Sequence, residues 1–103
     1  MDYESMSDFE INKRVAELMW PNFVNYEQFG RVRVQDPDGD DFYFDFNNPS
    51  DAWPIIMKNK ITVGPEENDI WSAFDISVEN IYDDKNPLRA AMIVFLMAGK
   101  EQE

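Results

Sequence analysis

Asp36, Asp38 and Asp40 stand at the spacing of the first three ligands of a calcium-binding loop. The likeness fails where such a loop is strict, because its sixth position is Asp41 instead of glycine and its twelfth is Asn47 instead of glutamate. The plainer reading is a solvated hairpin turn, with Pro37 fixing φ, Gly39 available for a positive φ, and carboxylates keeping the edge soluble. No metal site is expected. Three carboxylate pairs, Asp40-Asp41, Glu66-Glu67 and Asp83-Asp84, would do acid–base work only with one member desolvated beside the other. All three sit in polar, loop-like stretches where water keeps both members ionised.

Residue type removes much of the remaining chemistry, so that any catalysis would have to run on Asp, Glu, Lys, Tyr or an imported cofactor. The chain has no cysteine and no histidine, which removes thiolate nucleophiles, disulfides, the commonest zinc ligands and the commonest general base. Gly30, Gly39, Gly64 and Gly99 compose neither a dinucleotide fingerprint nor a phosphate loop. A non-enzymatic protein with no catalytic residues and no cofactor is therefore expected.

Charge is the global feature with functional weight. Twenty-one Asp and Glu against nine Lys and Arg give a formal net charge of −12. Nucleic-acid backbones and anionic membranes should be repelled, so a partner selected by charge should be a basic protein surface. From size scaling, a chain this long exposes about 6,000 Å² when folded, or roughly one net charge per 500 Å². Duplex DNA carries roughly one phosphate per 110 Å², so only a local cluster could rival it. The candidate contact is the turn with Asp36, Asp38, Asp40 and Asp41, joined by Glu66, Glu67 and Asp69. Arg31 and Arg33 would help set orientation, or pair with neighbouring carboxylates such as Asp45.

These residues need elements to hold them. Ser7-Asp8-Phe9-Glu10 reads as a capping box with Met6 and Ile11 as a staple, and Ile11, Val15, Leu18 and Met19 follow at helical spacing. A first helix is thus expected over 8–20, stopped by Pro21. Residues 21–30 read as an ordered connection with room for a short strand. Val32 and Val34 alternate with Arg31, Arg33 and Gln35, and beyond the acidic turn Phe42, Phe44 and Phe46 share a face, which predicts a hairpin. A second helix over about 50–59 is expected to bury Trp53, Ile56 and Met57, with Pro54 making it short, kinked or 3₁₀ at its start. Ile61 to Val63 predict a strand, and Ile70 to Val78 a longer one with Ile70, Phe74, Ile76 and Val78 on one face. Asn86-Pro87 opens a last helix over about 88–98, apolar nearly all round, with Gly99 as its stop and Lys100 at its negative end.

With 103 residues, 44% apolar and 15% aromatic, the chain can fill one core without staples. The expectation is a single acidic α+β domain over 1–103, an antiparallel sheet of about four strands with helices packed on one or both faces. The start, Met1-Asp2-Tyr3-Glu4, lacks the basic and apolar stretches of a secretory signal. The longest apolar run, Ala90 to Ala98, has nine residues where a membrane span needs about 20. A cytoplasmic location follows as an expectation. The apolar last helix also supports the alternative of a self-associating homodimer with no charge-selected partner.

Three segments, YESMSDFEINKRVA from Tyr3, NPSDAWPIIMKNKI from Asn48 and NPLRAAMIVFLM from Asn86, resemble the NinX-like small proteins of tailed phages and prophages. The resemblance spans most of the chain and is weakest between Pro21 and Asp41. It implies a phage or prophage accessory protein acting in the bacterial cytoplasm, with an α–β–α sandwich-like fold. No catalytic or binding residue is carried over by it.

Overall fold

The computed structural model describes residues 2–101 of the chain. Three helices and six strands alternate as α1 (Asp8–Met19), β1 (Val24–Gln28), β2 (Arg31–Gln35), β3 (Asp41–Phe44), α2 (Pro49–Lys58), β4 (Thr62–Pro65), β5 (Trp71–Phe74), β6 (Ile81–Asp84) and α3 (Pro87–Glu101). The α+β class is as expected. The single sheet of about four strands is not: the strands form two three-stranded antiparallel sheets, β1-β2-β3 and β4-β5-β6. By its contacts the chain divides into two compact units, one ending at Asp45 and one beginning at Phe46.

In the first unit α1 starts where the Ser7 hydroxyl accepts the Glu10 amide at 3.1 Å. The Glu10 carboxylate faces Arg14 at 3.8 Å. Trp20 is the C-cap, its amide bonded to the Ala16 carbonyl before Pro21. Ile11, Val15 and Ala16 are fully buried and α1 lies against β2 and β1. Val32, Val34 and Phe44 are buried as their alternation requires. Trp20 meets Phe42 and Phe44 edge-on at 5.0 and 5.7 Å. Strand β1 turns into β2 through Phe29 and Gly30 alone, at φ of 56° and 73°. A side chain other than glycine in that backbone region costs about 1 kcal/mol.

In the second unit the Asn48 side chain caps α2 by accepting the Ser50 amide, and Pro49 occupies its first turn. Pro54 sits inside an α-helix that stays α-helical throughout. Its buried stripe is Ala52, Ile55 and Ile56, whereas Trp53 and Met57 are exposed, contrary to expectation. Strand β5 ends at Phe74, so Ile76 and Val78 are not strand residues; both are exposed in a turn over 75–80 where Val78 has φ 59°. Asn86 caps α3, its Oδ1 accepting the Leu88 amide at 2.9 Å and the Arg89 amide at 3.2 Å. Residues Ala90 to Leu96 are all buried, which is what a helix apolar on every side requires. Helix α3 packs on β4, β5 and β6, and α2 packs on α3. It runs through Gly99 to Glu101, so Gly99 does not stop it. The Lys100 side chain lies outside the described residues.

Candidate functional site

The acidic turn joins β2 to β3 in the first unit and Asp36 organises it. The Asp36 Oδ1 accepts the amides of Asp38 at 2.9 Å and Asp40 at 3.0 Å. Its backbone closes the loop as well: the Asp36 amide donates to the Asp40 carbonyl at 2.8 Å, and the Gly39 amide to the Asp36 carbonyl at 3.0 Å. Gly39 takes φ 91°, which its missing Cβ permits. This is the Asx-turn chemistry that keeps an aspartate's own neighbours as its partners. Asp38 and Asp40 are left exposed, with their carboxylates in solvent.

Asp41 is different. Its carboxylate bonds the Arg33 guanidinium across the hairpin. The Arg33 pKa is raised above its ordinary value, first by that hydrogen bond and then by the Asp41 charge, against an opposing loss of hydration. Arg33 also donates to Gln28 and, at 3.4 Å, to the Tyr43 hydroxyl, which itself donates to Gln28 at 2.9 Å. Asp45, a suggested partner for the arginines, instead accepts from the buried Asn12 at 3.3 Å. Arg31 lies with its Cζ 4.0 Å above the Tyr43 ring.

Glu66, Glu67 and Asp69 lie in the second unit, on the turn between β4 and β5. That turn closes through the Glu66 amide on the Ile70 carbonyl at 2.7 Å and the Ile70 amide on the Glu67 carbonyl at 3.3 Å. Asn68 and Asp69 both take φ 60° at the bend, a conformation their short polar side chains tolerate. All three acidic side chains are exposed. The seven candidate residues therefore fall into two turns on two units, and within the first only Asp38 and Asp40 keep uncommitted carboxylates.

Two features escaped the sequence reading. The turn over 75–80 is built on the buried Asp75, whose carboxylate accepts from Asn80 Nδ2 at 2.7 Å, Ser77 Oγ at 3.0 Å and the Glu79 and Asn80 amides at 3.2 and 3.3 Å. The Asn80 side-chain bond is the main reason its pKa lies below the ordinary value, with desolvation opposing. Asp, Ser and Asn over six residues was the available signal, masked by the alternation of Ile76 and Val78. Beside this turn a groove of about 290 Å³ is lined by Ile61, Ile76, Phe95 and Ala98 with Asn59 and Asp75. The second feature is the carboxylate of Asp84, which accepts the Asn86 amide at 2.9 Å and pairs with Arg89 at 3.2 Å, so it braces the start of α3.

Among the described residues, no group of three or more acidic side chains is placed to hold a metal ion. Among them, too, no helix is long and apolar enough to cross a membrane. No curated protein matches the chain. A family model does, described as bacteriophage P22, NinX, and it matches residues 2–99, including the acidic turn and all six strands. The chain therefore belongs to the bacteriophage P22 NinX family.

Proposed function

We propose that this phage protein works by binding, without chemistry of its own, and that its acidic turns meet a basic surface on a host or phage protein in the bacterial cytoplasm. The observation that carries this reading is the Asp36 scaffold. It spends one carboxylate on backbone amides, which holds the neighbouring Asp38 and Asp40 on a fixed, exposed turn. Fixed like charges bind an opposite surface without the ordering cost that a flexible acidic loop incurs. The turn with Glu66, Glu67 and Asp69 is the second acidic contact. Arg33 with Asp41 contributes rigidity to the hairpin instead of net charge.

The test is a tagged capture from infected cells, comparing the wild-type chain with Asp38→Asn/Asp40→Asn and with Glu66→Gln/Glu67→Gln. The reading predicts a basic protein retained by the wild type and depleted in one or both variants, with melting temperatures unchanged. Equal capture by all three chains would contradict it. Self-association through α3 finds no support, since Ala90 to Leu96 are already buried within one chain.

A further inference from the structure

The tip of the β1–β2 hairpin departs from what folding alone would select. A two-residue turn with both φ values positive takes Asn, Asp or Gly, because other side chains crowd the backbone there. Phe29 puts a ring at φ 56° and leaves it 85% exposed. The turn does not need that ring: Gly30 relieves the second position, and its amide donates to the Glu27 carboxylate at 3.1 Å. Such a residue motivates a role outside the free fold where a second observation on the same element points the same way.

Arg31 supplies an independent observation on the same hairpin. In a chain of 21 acidic residues its guanidinium makes no ion pair among the described residues. It is stacked over Tyr43 instead, and Tyr43 is itself held by Gln28 and Arg33. The register sets Val24, Tyr26, Gln28, Arg31, Arg33 and Tyr43 on one sheet face, with Val24 60% and Tyr26 38% exposed. Across these strands the one carboxylate on that face, Asp41, is committed to Arg33. In an acidic molecule this face presents an aromatic tip and a pre-positioned cation.

We propose that the hairpin tip is a docking element: Phe29 enters an apolar socket on a partner protein, and Arg31 pairs with a carboxylate at the rim of that socket. Aromatic rings and arginines are the residue types that carry most binding energy at protein interfaces. A protein is favoured over a nucleic acid because the net charge of −12 opposes a phosphate backbone. The proposal is independent of the acidic turns and stands or falls separately.

Its first test needs no partner. Phe29→Asn installs a residue suited to positive φ, so the melting temperature should hold or rise; a fall of several degrees would show that the ring serves the free protein and would overturn the proposal. The second places a photo-crosslinking phenylalanine analogue at Phe29 in the full chain inside infected cells. The captured protein is then purified and titrated against wild type, Phe29→Asn and Arg31→Ala. Expected are one discrete cross-linked protein and binding weakened about ten-fold or more by Phe29→Asn, with Arg31→Ala acting in the same direction. Cross-links only to nucleic acid, only to a second copy of this chain or to nothing would overturn it, as would unchanged affinity in Phe29→Asn.

Discussion

Asp75 shows how much one side chain can organise when four donors converge on it. Because its folded pKa lies below the unfolded value of 3.8, its stabilisation is fully present above that value. The stabilisation is lost as pH falls through the folded pKa. Asp75→Asn should therefore melt lower than wild type near neutrality, and the gap should close in acid. Parallel melts across the acid range check this, and a gap that stays constant would contradict it. In the same turn Val78 holds a β-branched side chain at φ 59°. Val78→Asn should gain about 1 kcal/mol by relieving that crowding. Chemical denaturation would read the gain as a higher midpoint at unchanged slope.

At the scale of elements, the caps are the clearest case of local chemistry dictating structure. Ser7→Ala and Asn86→Ala should each cost about 1 kcal/mol, read by denaturant titration. Asn86→Ala should cost the more, since Asn86 Nδ2 also donates to Asn47 at 2.9 Å. Ile93, fully buried on α3, should cost about 2–5 kcal/mol when cut to alanine. Helices α1 and α3 and the β2–β3 hairpin were legible because capping residues, spacing and turn formers agree there. Helix α2 buries a stripe one position away from the expected one. Trp53, Ile56 and Met57 have the same spacing as the buried Ala52, Ile55 and Ile56, and their size drew the assignment to the wrong stripe. The sequence leaves room for β1 within 21–30, whereas β6 gives no apolar alternation, because Ile81 is exposed and the half-buried positions are Tyr82 and Asp84. Without β6 to complete a second sheet, a single sheet is the natural inference where there are two.

Within the candidate site, the acidic turn was readable from Asp, Pro and Gly alone, while the partner of Arg33 was not. Asp41 and Asp45 are both diagonal neighbours of Arg33 across the hairpin, whose direct partner is Tyr43. What decides between them is that Asp45 lies past the end of β3, where Asn12 donates to it. No pattern along the chain records that contact.

For the whole molecule, charge carries the proposed binding role. The net charge of −12 is spread over both units, and each carries an exposed acidic turn on a hydrogen-bonded frame. Family membership accounts for the phage setting, and the proposed binding role rests on the acidic surface. Exposed charges act through water and are screened beyond about 8 Å at physiological ionic strength. The most direct measurement is the affinity of the purified chain for its captured basic partner across a salt series. The account predicts an affinity that falls steeply and continuously as salt rises, with Asp38→Asn/Asp40→Asn flattening the slope. An affinity that is the same at low and high salt would contradict it.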